Sequence, residues 1–366
     1  MFGVAASSKT PPPWLIDGIG RVRAGLGLLY RSAVPPKVAL LELAQGAWLA
    51  QALYVAAKLG IADQLASQPL SAADVAGKLG TDSGATFRLM RALASNGIFK
   101  QRRDGRFALT RIGHELRTDT PDTMAPMVEL IGTPQHWEHW ASLLYSVRTG
   151  STAAEHVRGM PIFDYLESVP EYAEIFNRAM TGVSSLAIES LGDAYDFSDR
   201  KAIVDVGGGH GALLAAVLQK APGASGVLFD LPSVIDGAGA PLKAAGVDRR
   251  CTMIGGSFFE SVPEGGDAYL LKTIIHDWAD DQALTILRHI RSAIAPGGRL
   301  LILELVLPKG APPHPGMLLD LEMLVQAGGR ERTASEYAEL LSKAGFRQNR
   351  VIPTAGPMSI VEALPA

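Results

Sequence analysis

Hydrophobic positions change their spacing as the chain proceeds. Leu15, Ile16, Ile19 and Val22 recur at helical intervals, which predicts an amphipathic helix from Trp14 to Tyr30, broken by Pro35-Pro36. From Val38 to Leu59 the chain reads VALLELAQGAWLAQALYVAAKL, apolar on nearly every side. A helix of that kind is buried all round, so it is expected either in a core or against a second subunit. Ser71 reads as an N-cap with Asp74 at the third helical position, Val75 and Leu79 form the apolar face, and Gly80 stops the helix. A second helix begins at Ser83, presents Phe87, Leu89, Met90, Leu93 and Ala94, and ends at Asn96-Gly97. Ile98–Lys100 and Phe107–Leu109, around Asp104-Gly105, read as a hairpin. Two helices and a two-stranded wing make a winged-helix arrangement.

Residues 118–200 read as helical, with stripes at Trp137, Trp140, Leu143, Leu144 and Val147, at Phe163–Leu166, and at Tyr172, Ile175, Phe176, Ala179 and Met180. Such stripes are expected to be core first and lining of an apolar ligand pocket second. Beyond residue 201 short apolar runs alternate with helices. Val204, Val227–Phe229, Thr252–Ile254, Ala268–Leu271 and Leu300–Leu305 mark five strands, with helices near 212–220, 233–246 and 280–294. A further helix runs from Thr333 to Ala344, and Arg347–Ile352 and Met358–Ala363 are two more strands placed to close the sheet edge. The expected class is α/β, a parallel sheet with helices on both faces and a mainly helical N-terminal part. The segments are an arm and helix at 1–36 (its first 13 residues loose), a winged-helix-like domain at 37–118, a helical connector at 119–200 and an α/β domain at 201–366.

Composition narrows the function classes. The 366 residues carry a formal charge of −3, so no global bias toward nucleic acid or anionic lipid exists. Residues 71–117 do hold nine Lys/Arg against four Asp/Glu. That local excess leaves two readings of the winged segment, a DNA-facing surface or a packing module with arginines in solvent. Cys251 is the only cysteine, which excludes an intrachain disulfide or cysteine metal cluster and fits a reducing, cytoplasmic setting. No signal-peptide pattern and no apolar run of the ~18–20 residues needed for a membrane span is read here, so no membrane association is expected.

The chemistry centres on AIVDVGGGHGALLAAVL, Ala202 to Leu218. A strand runs into Gly207, Gly208, Gly209 and Gly211 and then into a helix whose free N–H groups lie beyond the turn. The next strand ends at Asp230, 25 residues after Asp205, where an acid commonly takes ribose hydroxyls. A nucleoside-type cofactor follows. The glycine pattern alone does not separate a dinucleotide from other nucleosides. Asp205 just ahead of the glycines suits a cationic ligand better than a pyrophosphate. His276, following an apolar strand, stands where α/β enzymes place ligands.

The chain resembles the class I S-adenosylmethionine-dependent O-methyltransferases, in the branch of plant caffeic acid O-methyltransferases and bacterial small-molecule methyltransferases. The resemblance spans nearly the whole chain: VDVGGGHG at 204–211, FDLPSVI at 229–235, GGSFFESVP at 255–263, LLKTIIHDW at 270–278, PGGRLLILELVLP at 296–308 and GGRERTASEY at 328–337. It implies a Rossmann-like seven-strand sheet, S-adenosylmethionine as methyl donor with S-adenosylhomocysteine as product, no metal, a hydroxylated small-molecule acceptor, and an N-terminal domain used for homodimerisation rather than DNA.

By the same resemblance, Gly207, Gly209, Asp230, Ser257, Phe258 and Lys272 hold the cofactor. Ser257 stands where the family usually has an acid for the adenine amino group, and a neutral acceptor makes a hydrogen bond roughly half as strong, so weaker or rearranged adenine recognition is expected. His276 is the implied general base. Glu304 and Glu331 match the acids that fix its tautomer and raise its basicity, with a salt bridge from Arg330 or Arg332 as the plain alternative for Glu331. A phenol near pKa 10 and a His near 6.5 leave a gap of roughly 5 kcal/mol, which electrostatics and alignment must cover. Phe176, Asn177, Met180, Asp277 and Met323 match acceptor-lining positions. N-methylation and non-transfer chemistry on the same fold stand as alternatives, with a winged-helix regulator the most remote.

Overall fold

The computed structural model of the chain describes residues 13–120, 123–191, 194–310 and 312–366. All but the last residue of the loose arm expected over 1–13 lies outside the described residues. Two compact units emerge. One comprises Gly25–Leu144 and Glu155–Ser185; the other comprises Tyr145–Ala154 and Leu186–Ala366, with Pro13–Ala24.

In the first unit the capped helices form as their sequences dictate. Ser71 Oγ accepts the Asp74 N–H at 3.1 Å while the Asp74 carboxylate accepts the Ser71 N–H, a complete capping box for helix Ala72–Leu79. Asp82, one residue ahead of the expected start, caps helix Ser83–Ser95 through the Ala85 N–H at 2.7 Å. Strands β1 (Phe99–Gln101) and β2 (Phe107–Leu109) pair antiparallel. Ile61, Val75, Met90, Leu93, Phe99 and Phe107 are the buried centre of this unit. At roughly 1.5–3 kcal/mol per fully buried large side chain, this small cluster is what holds helices and hairpin together.

Helix Pro36–Lys58 narrows one expectation and corrects another. It is not a core helix of its own chain: Leu40 is 69% exposed and Trp48 71%, and only its C-terminal end, at Ala56 and Ala57, is buried. It is also the one helix among the described residues long and apolar enough to cross a membrane by length and composition. Polar residues interrupt every strictly apolar run in it, which is why counting consecutive residues missed this. The same composition suits a helix covered by a second chain.

A second correction concerns the stripe from Trp137 to Val147. Ser142 separates helices Pro134–Ala141 and Leu143–Thr149, Leu144 and Val147 are exposed, and the buried face is His136 and His139 instead.

The second unit contains a seven-stranded sheet built from β3 (Ala202–Val206), β4 (Ser225–Asp230), β5 (Cys251–Gly255), β6 (Ala268–Lys272) and β7 (Arg299–Glu304), with β10 (Phe346–Pro353) and β11 (Ser359–Pro365). A separate two-residue ladder joins β8 (Val306–Leu307) to β9 (Arg332–Thr333). The sheet order is β10-β11-β7-β6-β3-β4-β5. Strands β3 to β7 are parallel, and β11 and β10 close one edge antiparallel. Apolar clusters cover both faces, one around Tyr269, Ile286, Leu300 and Tyr337 and the other around Leu214, Leu218, Leu228 and Leu270. The fold is thus the expected Rossmann-like α/β class with a mainly helical N-terminal part. From the central β3 the chain winds outward to β5, then returns to β6 on the other side. That reversal opens a crevice at the carboxyl ends of β3 and β6, where such folds bind ligands.

Ser71→Ala removes one half of the capping box. The expected cost is about 1 kcal/mol, a fall in Tm of about 2–4 °C by scanning calorimetry. An unchanged Tm would show that the cap contributes nothing to this unit's stability.

Candidate active site

The floor of the crevice is the glycine turn after β3. Gly207 has φ +68°, and a Cβ there would lie 2.5 Å from Ile274 Cδ1 and 3.7 Å from Phe258 Cε1. Conformation and space both demand glycine, and the turn thereby touches the segment after β6 that carries His276. The Gly209 N–H donates to Asp230 Oδ2 and the Leu231 N–H to Oδ1, each at 2.7 Å. Each oxygen keeps a lone-pair site for a ligand hydroxyl. Burial raises the Asp230 pKa and the two amides oppose it.

Asp205 sits differently from the sequence reading. It is 1% exposed, and a Cβ on Gly208 would lie 2.7 Å from its carboxyl, so it lies beneath the glycine turn rather than facing a ligand. Burial pushes its pKa up to about 7, against the opposing charge of Lys272. Lys272, at the end of β6, is held down by burial, with Asp205, Asp277 and Glu304 pulling the other way. Ser257 uses Oγ to accept the Phe259 N–H at 3.3 Å, so part of its acceptor capacity serves its own turn. The Phe258 ring packs edge-on against Phe259 and Trp278. A side-chain-free turn, a carboxylate with open lone pairs and an aromatic wall fit an adenosyl group without a phosphate.

Beyond β6 the backbone turns sharply. Thr273 has φ +53°, the one positive value at a non-glycine among the described residues, and such strain concentrates at functional sites. The short turn Ile275–Asp277 follows, with His276 only 7% exposed. His276 Nδ1 lies 2.7 Å from Glu331 Oε1, and Nε2 lies 3.5 Å from Asp277 Oδ1.

Glu304 departs from expectation. It does not bond the ring; its Oε1 accepts the Ile274 and His276 N–H groups at 3.2 and 3.1 Å, and its Oε2 accepts the Tyr337 hydroxyl. Its hydrogen bonds hold His276 through the backbone, while its charge still raises the ring's pKa. The alternative for Glu331 is also settled by distance, since Arg330 and Arg332 pair with Asp280 instead.

Burial alone would lower the His276 pKa, but Asp277, the Glu331 hydrogen bond and Glu304 outweigh it and raise it from its usual range. Burial raises Glu331 in turn, opposed by His276. Ligand-capable atoms of His276, Glu304 and Glu331 lie within 4.8 Å of one another. The hydrogen bonds above already account for that grouping.

Gly207, Gly209, Asp230, Ser257, Phe258, Lys272, His276, Asp277, Glu304 and Glu331 all belong to the second unit, at or just beyond the carboxyl ends of β3 to β7 and in the loop before β9. Met323 belongs to the same unit, 7% exposed on helix Gly316–Gln326. Phe176, Asn177 and Met180 lie in the first unit on helix Pro170–Leu191, with Phe176 and Met180 one turn apart on one face and Asn177 exposed. Sequence reasoning missed Tyr337 and Gly329. A Cβ on Gly329 would lie 2.0 Å from the His276 carbonyl oxygen. Both residues fall within the GGRERTASEY stretch, but only the fold brings them against the His276 turn and Glu304.

Comparison with known proteins agrees with this geometry. Residues 140–347 match the model of the O-methyltransferase domain, and residues 41–119 that of the O-methyltransferase dimerisation domain. Phenazine O-methyltransferase of Lysobacter antibioticus is 45% identical over 333 residues, covering 91% of this chain and 97% of that protein. The 8-amino-8-demethylriboflavin N,N-dimethyltransferase of Streptomyces davaonensis is 34% identical, over 85% of this chain and 90% of that one. A methyltransferase of calicheamicin biosynthesis, solved with S-adenosylhomocysteine bound, superposes with a TM-score of 0.80 at 33% identity, over 90% of this chain and 98% of that one. The chain belongs to the S-adenosylmethionine-dependent small-molecule methyltransferases that join an O-methyltransferase domain to an N-terminal dimerisation domain.

Proposed function

We propose that this enzyme methylates a hydroxyl of an aromatic or polyketide-like small molecule, with His276 as general base. The observation that carries this reading is the 2.7 Å contact between His276 Nδ1 and the buried Glu331 carboxylate, beside the glycine turn. That contact keeps the proton on Nδ1 and leaves Nε2 to receive one from an acceptor hydroxyl. When bound, S-adenosylmethionine supplies an electrophilic methyl group on a positively charged sulfur. Gly207 and Gly209 would approach it by backbone, Asp230 would take the ribose hydroxyls, Ser257 and Phe258 would face the adenine, and Lys272 would balance the local carboxylates. The His276 pKa, pushed up to about 10, comes level with that of a phenol, so once Nε2 has given up its own proton, transfer from the acceptor hydroxyl to the ring is close to balanced. Asp277, Phe176, Asn177, Met180 and Met323 are proposed to contact the acceptor, the apolar ones by adapting to a flat ring.

N-methylation is the second reading, favoured by the riboflavin N,N-dimethyltransferase relative. A neutral amine attacks through its own lone pair and needs no base beforehand. What supports the oxygen acceptor is the investment in a buried, carboxylate-flanked imidazole. The homodimer is proposed to form through residues 37–118, with the exposed apolar side of Pro36–Lys58 covered by the second copy.

His276→Ala, assayed with labelled methyl donor and a panel of phenols and aromatic amines, is expected to lower transfer to phenols by about 10²–10⁴-fold. S-adenosylmethionine affinity by calorimetry should stay within about threefold. Equal loss on amines would refute the base role, and loss of cofactor binding would make the residue structural.

Glu331→Gln removes the anion at Nδ1, which weakens the imidazolium relative to the neutral ring. The His276 pKa, followed by nitrogen NMR of labelled histidine, should therefore fall; a rise or no change would contradict the assigned partner.

The double variant Leu40→Glu, Trp48→Glu should sediment as a monomer where the parent sediments as a dimer, and a dimer of unchanged strength would place the interface elsewhere.

A further inference from the structure

Arg332 is the largest fully buried side chain among the described residues, at 0% exposure. Burying a guanidinium costs several kcal/mol unless its donors are satisfied. Here the donor set is complete. Nη1 donates to the Ile275 carbonyl at 3.0 Å and the Arg330 carbonyl at 3.2 Å. Nη2 donates to the Trp278 carbonyl at 3.0 Å and to Asp280 Oδ1 at 2.8 Å, and Nε donates to the same oxygen at 3.2 Å. Those contacts use the whole five-donor fork of an arginine. Two of the carbonyls, of Ile275 and Trp278, bracket His276-Asp277.

The opposite polarity of the same turn is held by Glu304, which accepts the N–H groups of Ile274 and His276. A buried acid thus holds its amides and a buried base its carbonyls. The β8–β9 ladder, with Val306 opposite Arg332, ties the chain just beyond Glu304 to the residue that carries the fork. Gly329, in the same loop, lies so near the turn that a Cβ there would come 2.0 Å from the His276 carbonyl oxygen and 2.4 Å from Trp278 N. Glu331, the ring's own partner, precedes Arg332, so any shift of Arg332 against the turn changes the Nδ1 contact too.

We propose that Arg332, anchored by Asp280, is a positioning residue that sets where the His276 ring stands by holding the carbonyls on either side of it. The inference rests on the reading of His276 as the base. Lysine keeps the charge but offers a compact point with three donors, which cannot span two carbonyls and a carboxylate. A displacement of about 1 Å at a reacting group costs on the order of 10²-fold in rate.

The test is Arg332→Lys in the full-length chain, read three ways. Nitrogen NMR of labelled histidine should show the His276 pKa lowered by about one unit, a tenfold weaker hold on the proton, as the Glu331 contact loosens. Methyl transfer to whichever phenol the parent accepts should fall about 10–100-fold in kcat, with the acceptor KM and the affinity for S-adenosylhomocysteine within about threefold. An unchanged titration together with an unchanged kcat overturns the proposal, as does a proportional loss of cofactor affinity. Should Arg332→Lys not fold, Asp280→Asn decides. Asp280 is 47% exposed, and its loss should move the His276 titration and kcat in the same direction by a smaller factor. No movement in that variant refutes the role. His276→Gln runs alongside: full activity there defeats the base reading, whereas its inactivity with an untouched Arg332→Lys defeats only the present one.

Discussion

Glu304 is a carboxyl group with no solvent exposure, at the end of a strand that lies between two others. Left unpaired, it would cost several kcal/mol, and most substitutions at so apolar a position would be more stable. It is tolerated because three donors converge on it: the turn amides of Ile274 and His276 and the Tyr337 hydroxyl. Satisfying those lone pairs locks β7, the turn after β6 and helix Ala334–Lys343 to one another. The position of His276 follows from that lock rather than from contacts of its ring alone. Stability given up to bury a charge is recovered as orientation at the reacting group.

The electrostatics of the crevice follow from the same burial. Asp205, Asp277, Glu304 and Glu331 sit in low-dielectric surroundings, and the charges of the first three act on Lys272. Each carboxylate favours a positive charge nearby, which raises His276 and suits a cationic cofactor in the glycine cradle. The one acid read from the sequence as facing that cofactor, Asp205, is buried against Gly208 of the turn. Direct contact is left to Asp230, whose backbone donors fix it at the end of β4.

The N-terminal helices follow a different economy. Helix Pro36–Lys58 buries little of its apolar surface within its own chain, and the chain matches a dimerisation domain over 41–119. Apolar residues that look like core in a sequence are, in such a domain, the surface that a second copy completes.

Periodicity and local chemistry in the sequence determined much of this protein. Alternating strands and helices beyond residue 201, the capping box at Ser71 and Asp74 and the glycine turn after β3 are short-range features, and each formed where its residues dictate. The six family stretches named nearly every residue that now meets in the crevice. Which atom bonds which was beyond their reach. Glu304 and Glu331 looked equivalent as two acids flanking a histidine, yet Glu331, in the loop before β9, reaches the ring and Glu304, at the end of β7, reaches the backbone. Arg332 looked like a salt-bridge partner for its neighbour and instead spans a turn more than fifty residues away in sequence. The stripe from Trp137 to Val147 was read as core first, and the all-apolar helix was left between a core and a second subunit, because period reports which side of a helix is apolar, not what covers it. Hydrogen-bond partners and burial are set by long-range packing, and only the tertiary structure decides them.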